Sequence, residues 1–329
     1  MIKRLLCLFA ILFLLVPSVL AESAPSAEPG AWPKLNEDGF LDVGEFVYIN
    51  AEAGVWRYVS QDLKVEIYRR YCTTPDPQKQ RKELHRTWYE AEVWSRPTET
   101  WRIFTNEKDQ HFSKAAWPYI VAQKNQIVLA INGDYAQGRW PARNKNNKLG
   151  IIVRDGEIFS NKTLSATTKN WPPLDVLALY PDGNMEVYDS NEHTAQEYVD
   201  MGVHTTLAFG PVLIRNGELN TKDIFGMNKG RNPRTAIGMV EPGHTFAMML
   251  EGRHATSNGG WLDYLAERML EKGCTLAYNL DGGQTSCMVF MGEQINIVGN
   301  ASSKDGHARK ATELLGIGVS ELVPDYESK

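Results

Sequence analysis

Leu63, Val65 and Ile67 alternate with polar residues, the period-2 pattern of a half-buried strand. A looser, aromatic-rich alternation over residues 87–94 predicts another strand, and the compact apolar run 126–131 predicts a third. Asp155-Gly156, Asp182-Gly183 and Glu241-Pro242-Gly243 each separate two apolar runs and suit hairpin turns. The last of these joins residues 235–240 to 245–250. Over 261–272 the period becomes helical: Leu262, Leu265, Ala266, Met269 and Leu270 share a face, Gly273 ends the pattern, and Ser257 or Asn258 leads into it. Shorter helices are predicted over 117–124, with Pro118 in the first turn, and over 193–201. Strands joined by hairpins, with several packed helices, imply an α+β fold with a mostly antiparallel mixed sheet.

The chain begins differently. Lys3 and Arg4 precede an apolar run over 5–16, and Val19-Leu20-Ala21 offers small residues for cleavage. Residues 1–21 therefore read as a signal peptide, too short in its apolar part for a stable membrane span, with a secreted or cell-envelope location as the expectation. Cys7 lies inside that run, so a lipoprotein site is not indicated. Residues 22–38 are rich in Pro, Ala, Ser and Glu and read as a flexible leader. Residues 39–125 form a strand-rich N-terminal part, and 126–322 the core. Lys and Arg total 35 against 40 for Asp and Glu, a net charge of −5 that argues against broad nucleic-acid binding. Beyond Cys7, three cysteines remain (Cys72, Cys274 and Cys287), which permits one disulfide and one free thiol; their spacing matches no zinc motif.

The densest chemistry lies in Asn279-Leu280-Asp281-Gly282-Gly283-Gln284-Thr285-Ser286, between a predicted strand over 275–278 and the apolar run 287–291. Paired glycines permit backbone angles closed to other residues and let a ligand approach the main chain. A carboxylate precedes them and two hydroxyls follow, as in an anion-binding turn. A plain hairpin turn also suits Asp-Gly. Short apolar runs closed by glycine recur at Ile131-Asn132-Gly133-Asp134-Tyr135, across 150–159, over 209–217, and at Asn232-Pro233-Arg234-Thr235-Ala236-Ile237-Gly238, which leads on to Glu251-Gly252-Arg253.

In order and spacing, these segments resemble the phosphodiester glycosidase family across roughly residues 127–319. That family includes the catalytic domain of the lysosomal uncovering enzyme, which removes N-acetylglucosamine from a phosphodiester, and bacterial members described as exopolysaccharide-related. The resemblance implies an exported hydrolase whose partner is a glycan or sugar phosphodiester. Two positions depart from the family pattern: Asp134 stands where many relatives carry a second glycine, and Gln284 where a third glycine usually follows the Asp.

Cleavage at an anomeric carbon needs a carboxylate that attacks or activates water. A phosphate leaving group needs cations or amides to hold its charge. Asp281, Asp134 and Glu251 are the candidate catalytic carboxylates; Asp134 also suits a turn, and Glu251 a salt bridge to Arg253. Arg234 is the preferred phosphate or sugar clamp, with Arg253 in reserve. Asn132, Asn279, Gly282, Gly283, Thr285, Ser286 and His254 complete the candidate substrate-binding set, and Arg309 lies in a loop from which it can reach the site. Arg215 reads as an exposed hairpin residue. Trp140, Trp171 and Trp261 are candidate sugar platforms, with core or rim packing as the plainer role. The three carboxylates are also candidates to gather around a divalent cation such as calcium. No Gly-x-Ser-x-Gly or Walker loop occurs. The competing reading is a non-catalytic carbohydrate or cell-wall polymer binding protein on the same fold, and a third is a structural envelope protein.

Overall fold

The computed structural model describes residues 31–79, 82–107, 111–112, 114–139, 149–163, 172–227, 230–299 and 305–326. The signal segment, Trp140 and Trp171 lie outside the described residues. A meander opens the chain: β1 (Phe46–Asn50), β2 (Val55–Val59), β3 (Leu63–Pro75) and β4 (Glu83–Ser95). Leu63, Val65 and Ile67 are buried as their alternation predicts. The strand that carries them runs well past that stretch, because β4 pairs with it along its whole length, from Leu63 opposite Ser95 to Pro75 opposite Glu83.

Next come β5 (Arg102–Thr105), α1 (Pro118–Lys124), β6 (Ile127–Asn132), α2 (Ala136–Arg139) and the hairpin β7 (Gly150–Arg154) and β8 (Glu157–Lys162). At the turn of that hairpin Asp155 and Gly156 both have positive φ, +51° and +78°, as a tight two-residue connection requires. Then follow β9 (Asp175–Leu179), β10 (Met185–Tyr188), α3 (Ala195–Asp200), β11 (Thr205–Phe209), β12 (Val212–Arg215), β13 (Glu218–Leu219) and α4 (Thr221–Met227). A capping box between Thr194 and Glu197 starts α3. The remainder is β14 (Arg234–Glu241), β15 (His244–Leu250), α5 (Leu262–Glu271), β16 (Leu276–Asn279), β17 (Met288–Phe290), β18 (Glu293–Gln294) and β19 (Glu313–Val319).

The largest sheet has nine strands in the order β1-β2-β3-β4-β15-β14-β16-β12-β13, and a second has five, β18-β17-β6-β19-β5. Smaller sheets hold β10-β9-β11 and β7-β8. The described strand pairings are antiparallel, so the chain has the expected α+β fold with a mostly antiparallel sheet. One apolar core joins Val65, Ile67, Ala91, Met249, Ile237 and Tyr278 of the large sheet to Leu129, Ile131, Phe290 and Leu315 of the second. The opposite face of the large sheet packs on α5 through Leu262, Leu265, Ala266 and Met269. Gly238 permits that approach: a Cβ there would lie 2.9 Å from Met269 Cε and 2.7 Å from Leu276 O.

Ser257 and Asn258 do not cap α5, whose N-cap is Trp261. They serve β4 instead, Ser257 Oγ accepting from Thr87 N at 3.1 Å and Asn258 Oδ1 from His85 N at 2.9 Å. Cys72, Cys274 and Cys287 are all free thiols.

Two registers place the functional loops. β14 runs antiparallel to both β15 and β16, with Arg234 opposite Leu250 and Ala236 opposite Asn279. The start of β14 and the ends of β15 and β16 therefore meet at one edge. In the second sheet Met288 lies opposite Ile131, so the end of β6 and the start of β17 also meet. Residues 280–287 cross from one sheet to the other.

Candidate active site

Asp281 lies on that crossing and is half-buried. Asn132 fastens the crossing at both ends. Its Nδ2 donates to Asp281 O at 2.8 Å, and its Oδ1 accepts from Cys287 N at 3.1 Å. The Asp281 carboxylate accepts from Gly282 N at 2.8 Å, Thr285 Oγ1 at 3.0 Å and Ala136 N at 3.2 Å. Burial pushes its pKa up to about 6 against the opposing pull of Arg309 and these hydrogen bonds. Arg309 is set in place by its own N–H, which donates to Gln284 O at 2.7 Å. Its buried Nε has no hydrogen-bond partner among the described residues.

A second cationic group lies beside the glycine turn. Arg234 is buried, with Nη2 donating to Gly230 O at 3.0 Å and Nε to Gly260 O at 3.4 Å. Among the described residues no carboxylate comes within ion-pair distance of it. Burial and the charge of Arg253 lower its pKa to about 10, with Asp263 acting the other way. Arg253 is exposed, takes a positive φ of +64°, and donates from Nη2 to Asn232 Oδ1 at 2.7 Å.

The paired glycines act through space rather than through their amides. Gly282 N donates to Asp281 itself and Gly283 N to Pro233 O at 3.0 Å, so both donors are engaged within the chain. A Cβ on Gly283, whose φ is +65°, would lie 3.1 Å from Arg253 Nη1. A Cβ on Gly282 would lie 2.7 Å from Pro233 O and 3.9 Å from Arg234 Cδ.

Glu251, just past the end of β15, is buried and accepts from Ile297 N at 2.7 Å. Burial pushes its pKa up to about 7, while the Ile297 amide, Tyr89 and Arg69 oppose the rise. Its close side-chain neighbour is His254, not Arg253: His254 Nε2 lies 3.2 Å from Glu251 Oε2 but out of line for a hydrogen bond. Burial lowers the His254 pKa.

Asp134 is held differently from Asp281. Both its oxygens are taken by Arg139, and Ala208 N donates to it at 2.8 Å. Arg154 lies 3.8 Å away and binds Glu313, which completes a buried charge network. Sequence reasoning missed this network; Arg139 lies five residues after Asp134, a separation that does not place two side chains on one helix face and so gives no local signal. Asn279 and Ser286 are wholly buried. Asn279 Nδ2 donates to Gly210 O at 2.7 Å, while Asn279 Oδ1 and Ser286 Oγ have no partner among the described residues. Trp261 is half-buried under the Arg231 guanidinium, 5.4 Å from the ring centre. Arg215 pairs with Asp189 and Glu192. Among the described residues, no three His, Cys, Asp or Glu side chains are grouped closely enough to hold a metal ion. The three candidate carboxylates are engaged separately, by Arg139, by Ile297 and by the Asp281 turn.

Comparison with known proteins extends this picture. The chain is 27% identical over 199 residues to the SPbeta prophage-derived uncharacterized protein YomE of Bacillus subtilis, a match covering 60% of this chain and 29% of that protein. The chain thus spans under a third of that relative's length. The zebrafish N-acetylglucosamine-1-phosphodiester alpha-N-acetylglucosaminidase catalytic domain, auto-inhibited by its pro-peptide, shares the fold with a TM-score of 0.61 at 17% identity, covering 79% of this chain and 85% of that one. A hypothetical protein from Synechocystis is similar with a TM-score of 0.51 at 12% identity, covering 85% and 69%. Residues 125–318, more than half the chain, match the family model for phosphodiester glycosidases. On that match, the chain belongs to the phosphodiester glycosidase family.

Proposed function

We propose that this chain is an exported hydrolase that cleaves a glycosyl phosphodiester in an envelope or extracellular glycan, with Asp281 as the carboxylate at the anomeric carbon. One observation carries the reading. A half-buried carboxylate of raised pKa sits on a glycine turn whose flanks hold Arg253, Arg234 and Arg309. An acid held near pKa 6 is largely ionised at neutral pH, yet less solvated than a surface carboxylate. It is suited to attack an anomeric carbon or to take a proton from water. Arg253 and Arg234, which among the described residues have no carboxylate within ion-pair distance, suit a phosphate, whose negative charge grows as the glycosidic bond breaks. Arg253 is the exposed member of that pair and meets the phosphate first, with Arg234 behind it. Glu251, protonated up to about pH 7, is the assisting acid. Asp134 serves by fixing Arg139 and the strand end from which the Asp281 crossing is held.

The zebrafish relative's name specifies N-acetylglucosamine joined through a 1-phosphodiester, and that is the first substrate to test. Asp281→Asn should abolish release of the sugar from a synthetic N-acetylglucosamine 1-phosphodiester or from UDP-N-acetylglucosamine while the fold persists. Near-normal turnover in that variant removes Asp281 from the mechanism. Saturable binding without any product in the unaltered protein favours the second reading, a glycan-binding protein. The three hydrogen bonds already held by Asp281 are what favour that alternative.

A further inference from the structure

The β3–β4 hairpin carries a side-chain arrangement that the reaction does not use. It precedes the span 125–318 matched by the family. In the large sheet Tyr71 lies opposite Thr87, and Glu251 N donates to Thr87 O at 3.0 Å. Tyr71 on β3, Thr87 on β4 and Glu251, the residue after β15, therefore form one row. Directly opposed residues share a face. This is the face that carries Val65, Ile67, Ala91 and Met249 into the core. Past the core, the same face continues to Arg69, Tyr71, Thr73 and His85, and there it opens: Tyr71 is 60% exposed. Two strand spacings put Tyr71 about 10 Å from Glu251, roughly the reach of one to two pyranose rings.

The exposed ring is held from several sides. Thr73 Oγ1 donates to Tyr71 Oη at 2.8 Å, and Tyr71 Oη lies 2.9 Å from His85 Nδ1. The two rings lie edge to edge and nearly coplanar, with centroids 6.3 Å apart and planes 12° from parallel. His85 is anchored in turn, its N–H donating to Asn258 Oδ1 in the loop that carries Arg253 and His254. An aromatic ring already fixed in orientation loses little freedom on binding. Its apolar face suits the C–H face of a sugar, and the hydroxyls beside it suit the sugar's own.

We propose that Tyr71, with His85 and Thr73, is a sugar-stacking subsite for the part of the glycan on the leaving-group side of the scissile bond. The placement on that side rests on the reaction proposed above; the binding of a pyranose does not. It would favour polymeric over small substrates.

Two experiments test it. In the first, N-acetylglucosamine 1-phosphodiesters of methanol and of maltotriose are compared. Tyr71→Ala should raise KM for the maltotriose diester about tenfold, the scale of one lost stacking contact, with kcat and the methyl diester unchanged. His85→Ala should do the same more weakly. Equal losses on both substrates, or no change on either, overturn the proposal. In the second, maltotriose, chitotriose and mannotriose, none of which holds a phosphodiester, are titrated calorimetrically. At least one should bind the unaltered protein and Asp281→Asn alike, and bind Tyr71→Ala about tenfold more weakly. If none binds, or Tyr71→Ala binds equally well, there is no subsite. If neither diester is cleaved but a trisaccharide binds through Tyr71, the reaction is wrong and the subsite stands.

Discussion

Arg139 grips Asp134 through two hydrogen bonds, 2.8 Å from Nε and 2.6 Å from Nη2, with both side chains almost wholly buried. Removing one member of such a pair strands the other charge away from water, at a cost of about 3–5 kcal/mol. Arg139→Ala and Asp134→Asn should therefore lower stability strongly in chemical denaturation, with some turnover left at low temperature. Full stability with no turnover in Asp134→Asn would return Asp134 to the chemistry.

Asp281 gives a stability signature of the opposite sense. Its folded-state pKa, about 6, lies above the ordinary 3.8, so the folded chain holds this proton more tightly than the unfolded one. Ionisation penalises the fold, not at all below about pH 4 and fully above about pH 6. Asparagine at this position cannot ionise. Across that window the stability of Asp281→Asn should improve relative to the unaltered protein by about 1–2 kcal/mol, allowing for partial exposure. Parallel denaturation curves at pH 4 and pH 7 check this, and a constant difference between the two proteins refutes it.

The same groups shape the rate. Turnover should rise with pH through about 6 as Asp281 ionises and fall above about 7 as Glu251 loses its proton. Glu251→Gln should flatten the falling limb. A falling limb that survives this change assigns it to another group.

Arg253 depends on a residue with no side chain. Gly283→Ala puts a methyl group about 3.1 Å from the Arg253 guanidinium, at a φ of +65° that alanine tolerates poorly. Inorganic phosphate should inhibit the unaltered protein competitively. Arg253→Ala should weaken that inhibition by about ten- to a hundredfold, the range for a lost charge-assisted hydrogen bond. Gly283→Ala should produce much of the same loss through displacement. Inhibition unchanged in both variants would show that phosphate binds elsewhere.

Much of this arrangement is legible in the sequence, where local chemistry sets the outcome. Pro118 opens a helix, Asp155-Gly156 turns a hairpin, and Leu262, Leu265, Ala266 and Met269 bury one helical face. The residues of the glycine turn point to its carboxylate. What escapes is whatever long-range pairing decides. Alternation over Leu63, Val65 and Ile67 does not announce that β3 reaches Pro75, because the added residues are kept extended by β4 rather than by a buried face. Ser257 and Asn258 resemble helix caps, yet they bond a strand about 170 positions away. Asp134 and Asp281 look alike in sequence, each an acid after a strand near glycine. Arg139 lies beside one and a cluster of weaker donors beside the other, and only the folded chain separates their roles.

The pairing of β4 with β15, from Trp88 opposite Leu250 to Trp94 opposite His244, has a practical consequence. The family match begins at residue 125, and a chain trimmed to that point would leave β15 with a bare, apolar edge. Such an edge recruits strands from other molecules. The trimmed protein should precipitate, whereas one beginning before Phe46 should stay in solution, and the meander thus shields that edge.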